Sequence, residues 1–403
     1  MKSYADVIIV GARVAGASLA VLLGRMGKKV VMVDKASFPS DTLSTHYLSH
    51  LEYLSKLDVL EEVEAAGLRK VNRMRTYIGN SFVEGPRSSY TIIPRRERLD
   101  YILVNKALSY PTVELKQGWQ AVSLIKERQR VRGVRIKDRK GRKQVLCAPL
   151  VVGADGKHSM VAKWSGAEQY AEHSPVRPVF YGYFHNVRPL IEPATEIFLQ
   201  EGRIGFLFPM EPGVDCLGLE VLPDEFVEIA REPKRFEEIY RQLYGMNNRL
   251  KGASLKGRII GTPGVPNYFR TAGGEGWALI GDAGHSKDPS TGLGINDAFM
   301  QAFLMAEAIE QREKGEPWDD LVHKFQTERD VRLGPGYRLT LDYIQSRREL
   351  SHNEDALFQA MAANPMVWNK VVPHLPELLK QQSIPTLYQS VEHEARSFGF
   401  DYS

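Results

Sequence analysis

The chain has 403 residues, 43% of them hydrophobic and 25% charged, and at roughly 150 residues per domain it should form two or three domains. Its 53 lysines and arginines are nearly balanced by 49 acidic residues, so the net charge of +4 argues against general nucleic-acid binding. Cys147 and Cys216 are far apart, which argues against a zinc ribbon, a disulfide framework or a redox dithiol and favours a cytoplasmic location. No stretch approaches the roughly 18 apolar residues of a membrane span, so the sequence predicts no transmembrane segment.

The first predicted elements are a strand, a glycine turn, a helix and a second strand. The apolar run 6–10 predicts a buried strand, Gly11 to Gly16 a turn, and the residues up to Leu23 a helix. The second strand, 30–34, ends in an acid. This order is the dinucleotide fingerprint, in which the helix N-terminus receives a pyrophosphate and the acid, Asp34, binds a ribose hydroxyl. The middle glycine is replaced by Arg13, whose side chain must point away from the phosphates or cover them.

Two later segments repeat the pattern of a strand followed by an acid and glycines. The run 150–153 predicts a buried strand that leads into Asp155 and Gly156. Residues 278–281 predict another, followed by Asp282, a Gly- and Pro-rich loop and a helix from about Asn296 to Gln311. A loop of this kind can aim backbone N–H groups and a positive helix end at an anionic ring edge. Between the two segments, a basic hairpin at 131–143 is typical of a solvated β-meander.

A group of strands between the second and third motifs predicts a mixed or antiparallel sheet. Alternation in 180–186 places Tyr181, Tyr183 and His185 on one face, and 203–209 and 216–221 predict further strands. A helix is expected near 224–243. From about Trp318 the pattern is helical, and this C-terminal part is a candidate cover for the active site or a dimer contact.

In this order, the motifs resemble those of the FAD-dependent monooxygenases of the para-hydroxybenzoate hydroxylase fold (group A), a superfamily that includes geranylgeranyl reductases. The resemblance spans roughly residues 4–330. It implies an α/β fold: a Rossmann-like, three-layer FAD-binding domain, an inserted mixed-sheet substrate domain and a helical C-terminal segment. The implied boundaries are 1–75, 98–175 and 265–330 for the discontinuous FAD domain, 76–97 and 176–264 for the substrate domain, and 331–403 for the C-terminal segment.

The motifs and the resemblance together give a set of candidate site residues. Those expected to bind FAD are Gly11, Ala12, Val14, Ala15, Gly16, Asp34, Lys35, Arg96, Asp155, Gly281, Asp282, Pro289, Gly292, Gly294, Ile295 and Asn296, with Arg98 as the alternative to Arg96. Those expected to line the substrate site are Tyr181, Tyr183, Phe206 and Phe208. His46 is the candidate catalytic side chain, and a structural, hydrogen-bonded histidine is the competing interpretation. No histidine lies in a metal-binding pattern, so no metal is expected.

The resemblance implies a flavin hydroxylase: NAD(P)H reduces FAD, O₂ adds to the flavin as a hydroperoxide, and one oxygen atom passes to a small aromatic or polycyclic substrate. An FAD-dependent reductase of carbon–carbon double bonds, similar to geranylgeranyl reductases, is the alternative. A halogenase is less favoured because Phe206 to Pro209 occupies the place of its WxWxIP motif. A non-enzymatic flavin-binding scaffold is the last alternative. The expected partners are the small-molecule substrate and O₂, with a homodimer as a further hypothesis.

Overall fold

The computed structural model describes residues 5–79, 81–345, 356 and 359. The strands are β1 (Val7–Val10), β2 (Val30–Asp34), β3 (Val71–Ile78), β4 (Ser81–Thr91), β5 (Val113–Gln117), β6 (Trp119–Glu127), β7 (Arg130–Asp138), β8 (Lys143–Cys147), β9 (Leu150–Gly153), β10 (Gln169–His173), β11 (Val179–His185), β12 (Thr195–Gln200), β13 (Arg203–Pro209), β14 (Val214–Glu220), β15 (Ser254–Thr262), β16 (Asn267–Arg270), β17 (Gly273–Gly274), β18 (Trp277–Leu279) and β19 (His285–Ser286). The helices are α1 (Val14–Arg25), α2 (Glu52–Lys56), α3 (Leu60–Glu64), α4 (Arg96–Leu108), α5 (Met160–Ser165), α6 (Glu225–Arg231), α7 (Lys234–Gln242), α8 (Met246–Arg249), α9 (Gly294–Glu313) and α10 (Trp318–Gln345).

The chain divides into two compact units. The first contains residues 1–68, 93–174 and 266–337, and the second contains 69–92, 175–265 and 338–403. Three of the predicted boundaries fall inside secondary-structure elements. The boundary at 75/76 would cut β3, which pairs along its length with β4 and β12; that at 97/98 would cut α4; and that at 330/331 would cut α10. Hydrogen-bonded strands and helices are continuous units, so a boundary inside one is unfavourable.

The first unit is built on a six-stranded sheet in the order β17-β18-β9-β1-β2-β5. The strands β9, β1, β2 and β5 are parallel neighbours, and β1 and β2 are buried throughout, as expected for apolar runs covered on both faces. One face packs against the sheet β6-β7-β8, whose predicted hairpin is confirmed. The helices α1, α4 and α9 pack together to complete three layers. The predicted α/β fold with a three-layer domain is therefore confirmed.

The second unit contains a seven-stranded mixed sheet in the order β15-β11-β14-β13-β12-β3-β4. The pair β12/β3 is parallel and the other neighbours are antiparallel. One face carries Phe180, Phe184 and Phe198, which form a core with Phe236 and Tyr240 of α7. The single helix predicted at 224–243 is in fact two, α6 and α7, because the residue before a proline is disfavoured in the helical conformation and Pro233 follows Glu232.

The C-terminal part of the chain is described only as far as residue 345, apart from 356 and 359. The part of the predicted helical segment 331–403 that can be compared belongs to α10, and the remainder lies outside the described residues. Within the described part of the chain, none of the helices has the length and apolar character needed to cross a membrane.

Candidate functional site

The first turn of the sheet requires its two glycines. Gly11 has a φ of +102°, and a Cβ there would lie 2.2 Å from the carbonyl oxygen of Ala154. A Cβ on Gly16 would lie 1.9 Å from the carbonyl oxygen of Gly11. Both approaches involve backbone atoms, which cannot move aside as a side chain can. The geometry thus supports the predicted roles, a tight turn at Gly11 and close helix packing at Gly16.

The N-terminus of α1 is buried and carries no side-chain cap. Arg13 occupies the N-cap position in an extended conformation, and its side chain makes no capping hydrogen bond. The N–H of Ala17 donates to the carbonyl of Arg13 at 2.8 Å, which leaves the N–H groups of the preceding helical residues without a partner inside the helix. Val14, Ala15 and Gly16 are buried. Because buried N–H groups need an acceptor and the helix dipole adds positive charge, this end of α1 suits an anionic group such as a diphosphate.

Asp34 lies beside this turn, at the end of β2. One carboxylate oxygen accepts a hydrogen bond from the N–H of Ala12 and the other from the N–H of Ala36, both at 2.8 Å. Each oxygen can accept a second bond, so the carboxylate remains able to bind ribose hydroxyls. Lys35, the next residue, is exposed.

Three charged side chains meet near the start of α1. Asp100 of α4 is fully buried and pairs with Arg13 at 2.7 Å and with Arg96 at 3.0 Å. Arg98, the alternative to Arg96, is exposed. The structure therefore favours Arg96 over Arg98 as the site arginine. Asp100 was missed by the sequence analysis, since no pattern relates it to residue 13.

His46 is fully buried and has a φ of +60°. Burial, followed by the positive charges of Arg96 and Arg95, lowers the pKa of His46 to about 3, against a hydrogen bond with the backbone of Pro94 that raises it. The imidazole is neutral at neutral pH and is a weak proton acceptor there. These properties favour the structural interpretation, and the catalytic role of His46 stays a prediction.

The Asp155 side chain caps the start of a helix. One carboxylate oxygen accepts hydrogen bonds from the N–H groups of Met160 at 2.8 Å and Val161 at 3.2 Å, and the other accepts from the Ser159 hydroxyl at 2.5 Å. Ser159 in turn caps α5 by accepting from the N–H of Ala162. The Asp155 side chain thus helps to begin α5, and its contact with the cofactor stays a prediction.

The third motif forms a short turn of 3₁₀ helix at Gly281–Ala283. The Asp282 side chain is accessible to solvent, and among the described residues none donates a hydrogen bond to its carboxylate. Desolvation by the surrounding protein raises the pKa of Asp282, and the positive charge of Arg96 opposes this rise. The backbone of the turn is fixed from behind, because the Tyr268 hydroxyl donates to the carbonyl of Asp282 at 2.9 Å and Arg270 donates to that of Ala283 at 2.9 Å. An anchored carboxylate with free acceptor capacity suits the ribityl or ribose hydroxyls of a flavin nucleotide.

The loop that follows leads into α9. Pro289–Thr291 form a second 3₁₀ turn, capped by the buried Asp288, and Gly292 has a φ of +66°. The helix then starts at Gly294 without a side-chain cap, and a Cβ at Gly294 would have nothing within 4 Å. Ile295 is buried, and the Asn296 amide donates to the Ser49 hydroxyl and accepts from the N–H of His50. The open space and the positive end of this 20-residue helix suit the polar edge of an isoalloxazine ring.

Other residues that support this loop gave no sequence signal. Lys287 forms a buried ion pair with Asp297 of α9 at 2.5 Å. Arg329 of α10 is fully buried and donates to the carbonyl of Arg270 at 2.9 Å and to the hydroxyl of Tyr170 at 2.7 Å. A charged residue on a helix is ordinarily read as solvent-exposed, so its burial could not be foreseen.

The four candidate substrate residues share one face of the second unit's sheet. Tyr181 and Phe206 both pair with Gly218, and Tyr183 and Phe208 both pair with Cys216. The Phe206 ring lies over Gly218, where a Cβ would be 1.7 Å from the ring, and the Phe206 and Phe208 rings stack at 4.8 Å. All four side chains are buried, yet none belongs to the core formed with the helices α6 to α8. This face, called the aromatic face below, is therefore not used by the helical core of its unit.

The residues of the first unit fit FAD: a buried uncapped helix start for the diphosphate, two carboxylates for hydroxyl groups, and an open glycine position at α9. Among the described residues, no group of three or more His, Cys, Asp or Glu side chains is placed to hold a metal ion.

Comparison with known proteins gives the class to which the chain belongs. Residues 4–333 match the FAD binding domain family, so the chain is a member of that family. It is 25% identical over 360 residues to the 1H-pyrrole-2-carbonyl-[peptidyl-carrier protein] brominase of Pseudoalteromonas luteoviolacea, covering 85% of each chain. It is 26% identical over 388 residues to the 6-methylpretetramide 4-monooxygenase of Streptomyces rimosus, covering 87% of this chain and 85% of the relative.

A solved structure shows the same fold. The p-nitrophenol 4-monooxygenase of Pseudomonas putida superimposes with a TM-score of 0.77 at 16% identity, covering 95% of this chain and 100% of that one. The family and this fold agree with the resemblance seen in the sequence. The protein is an FAD-dependent oxidoreductase with the fold of the group A flavoprotein monooxygenases.

Proposed function

We propose that this enzyme is a monooxygenase that uses NAD(P)H and O₂ to oxygenate a small aromatic or polycyclic substrate. The observation that carries the proposal is the aromatic face, on which four buried aromatic side chains are held away from the helical core of their own unit. Aromatic rings offer stacking and edge contacts to another ring at little entropic cost. A buried apolar surface also excludes water, as an oxygen-transfer reaction requires.

The remaining groups divide the work of holding the cofactor. The start of α1 binds the diphosphate, Asp34 the adenosine ribose and Asp282 the ribityl hydroxyls, while the start of α9 faces the flavin ring. FAD, when bound, supplies the electron transfer and the activation of O₂. His46 stays neutral and keeps its loop in place through its contact with the backbone of Pro94.

The similarity to a brominase makes halogenation the second candidate activity. That relative acts on a pyrrole group carried by a carrier protein. In this chain, when β13 is aligned on Pro209, Ile204 and Phe206 stand in place of the two tryptophans of the halogenase WxWxIP motif, and Phe208 stands in place of its isoleucine. This difference favours oxygenation, and dependence on halide separates the two activities.

The purified protein should be yellow, with an absorption band near roughly 450 nm typical of flavins. Stopped-flow reduction by NADH and by NADPH, with and without a panel of phenols, naphthols and polycyclic phenols, should show that substrate accelerates flavin reduction or NAD(P)H oxidation. Product formed under ¹⁸O₂ should carry one ¹⁸O atom. Turnover without O₂ would instead indicate a reductase, and product that forms only with added bromide or chloride would indicate a halogenase.

A matched pair of variants tests the aromatic face. Phe206→Leu should raise KM for the aromatic substrate, because it removes a ring from this face. Phe198→Leu removes a ring from the helix-facing side of the same sheet, where Phe198 packs on Tyr77 at 4.5 Å. That variant should lower thermal stability and leave KM unchanged. If both variants change KM equally, the aromatic face does not line the substrate site.

A further inference from the structure

Arg13 stands where the dinucleotide fingerprint has its middle glycine, and both terminal nitrogens of its guanidinium are hydrogen-bonded. One terminal nitrogen donates to Asp100 at 2.7 Å and to the carbonyl of Ser40 at 3.2 Å. The other donates to the Ser40 hydroxyl at 3.2 Å and to the carbonyl of Asp41 at 3.0 Å. These four bonds use all four N–H groups of the two terminal nitrogens. The side chain thus holds a fixed position beside the start of α1 and ties the loop at 40–41 to it.

Asp100 joins Arg13 to Arg96. The carboxylate accepts from Arg13 on one oxygen, and Arg96 donates to both oxygens, with its Nε at 3.1 Å from one and its Nη2 at 3.2 Å from the other. A carboxylate that is fully buried is costly unless it is paired and hydrogen-bonded, and here two cations satisfy it. The set carries two positive charges and one negative charge, so a net positive charge remains.

That net charge lies at a helix start that already attracts anions. Arg13 is the residue before α1, whose buried N-terminus has no side-chain cap. Among the described contacts, the Nη1 of Arg96 has no hydrogen-bond partner, so it has a donor to offer. Burial lowers the pKa of His46 and the positive charge of Arg96 lowers it further, so the charge of Arg96 acts beyond its ion pair with Asp100.

We infer that Arg13, Asp100 and Arg96 form a diphosphate-binding set for FAD, in which Asp100 is a positioning residue that fixes both arginines. Arg96 donates a hydrogen bond to the diphosphate. Arg13 contributes its charge and the ordered loop, and so replaces the close backbone approach that a middle glycine would permit. Neither role depends on which reaction the enzyme performs.

Asp100→Asn gives the most direct test, because two possible roles of Asp100 predict opposite changes in FAD affinity. If Asp100 only adds a negative charge near the diphosphate, its neutralisation should tighten FAD binding. If it positions the two arginines, Asp100→Asn should weaken FAD binding about 10-fold. The dissociation constant can be measured from the rise in flavin fluorescence as FAD leaves the diluted holoenzyme, at several salt concentrations.

The same substitution in a second parent variant separates a positioning role of Asp100 from a general loss of structure. In a chain that carries Arg13→Gly and Arg96→Ala, no arginine remains to be positioned, so adding Asp100→Asn should leave FAD binding unchanged or tighten it. A purely structural role would weaken binding in both backgrounds. Weakening of similar size in both would therefore overturn the inference, as would tighter binding by the single variant.

Arg13→Gly restores the glycine of the fingerprint and tests Arg13 itself. It should weaken FAD binding about 10-fold and reduce the dependence of binding on salt, because a charge acting on the diphosphate has been removed. Arg13→Lys keeps the charge and loses the four-bond geometry, so it should retain the salt dependence; it also serves if the glycine variant does not fold. Arg98→Ala, which removes an exposed arginine of the same helix, is the matched control and should leave FAD binding unchanged. Wild-type affinity and salt dependence in Arg13→Gly would show that Arg13 has no part in diphosphate binding.

Discussion

Two neighbouring turns of the first unit look alike in sequence and differ in how the helices that follow them are capped. The turn at 11–16 follows β1 and the turn at 154–159 follows β9, and these strands are parallel partners in which Val10 pairs with Gly153. Each turn contains glycine and leads into a helix. The helix after the first turn, α1, begins without a side-chain cap, whereas α5 begins with caps from both Ser159 and Asp155.

The two turns also differ in their electrostatic surroundings. Near the first turn, burial lowers the pKa of His46, and the positive charges of Arg96 and Arg95 lower it further. At the second turn, burial raises the pKa of Asp155, and hydrogen bonds from Ser159 and the start of α5 oppose the rise. A helix start whose N–H groups are already satisfied has little to offer a ligand. Whether side chains cap the N–H groups of the helix start is therefore a better guide to a ligand-binding turn than the presence of glycine and an acid.

The largest expected effect comes from the first turn. Gly16→Ala places a Cβ 1.9 Å from the backbone oxygen of Gly11, so β1 and α1 must separate. We expect a loss of about 3 kcal/mol in the free energy of unfolding, together with loss of FAD. Thermal melting and the flavin absorbance of the purified variant measure both. Gly294→Ala is the control for folding, because a Cβ there meets nothing within 4 Å. A yellow Gly16→Ala protein with wild-type melting would contradict the proposed packing.

The next effect tests, through pH, how strongly burial and the nearby arginines keep His46 neutral. The pKa of His46 is about 3 in the folded protein and about 6.5 when unfolded, so the unfolded state binds the proton more readily. Stability contributed by neutral His46 is complete above pH 6.5 and is lost as the pH falls towards 3, by about 2.5 kcal/mol between pH 7 and 4.5. His46→Asn should flatten this loss, since asparagine tolerates the positive φ and does not titrate. Urea unfolding at pH 7, 5.5 and 4.5 measures it.

The exposed His323 supplies the control for that experiment. His323→Asn should keep the wild-type dependence of stability on pH. If His46→Asn loses as much stability between pH 7 and 4.5 as the wild type does, then His46 is not held neutral by its surroundings.

Local patterns predicted the elements and most of the first turn, because those features depend on residues close in sequence. Apolar runs identified β1 and β2, and glycines at residues 11 and 16 identified the turn. The partner of Arg13 could not be foreseen: Asp100 lies 87 residues away, and nothing in its own segment distinguishes it from an exposed helical acid. Only the folded arrangement of α1 and α4 brings the two together.

The capping role of Asp155 and Ser159 could have been predicted from the local sequence. Ser159 precedes the apolar residues of α5 and is a favoured N-cap residue, so a capped helix start was readable there. The Asp-Gly motif predicts a contact of Asp155 with the cofactor, and that contact stays a prediction. The division of the predicted helix into α6 and α7 could have been predicted in the same way from Pro233.

The smallest expected effects come from replacing the acid that belongs to each turn: Asp155 in the second turn and Asp34 beside the first. These variants contrast the two turns directly. Asp155→Ala removes the bonds to the N–H groups of Met160 and Val161 and should lower the free energy of unfolding by about 1 kcal/mol. Because its side chain serves α5, FAD affinity should stay at the wild-type level. Asp34→Ala also removes two hydrogen bonds from backbone N–H groups, those of Ala12 and Ala36, and should lower stability by a similar amount. In contrast to Asp155→Ala, it should in addition weaken FAD binding about 10-fold, because a hydrogen bond between a charged group and a ribose hydroxyl is lost. Denaturant unfolding and fluorescence titration with FAD, applied to both variants, measure the two effects. Equal losses of FAD affinity would mean that both turns contact the cofactor and that capping does not separate them.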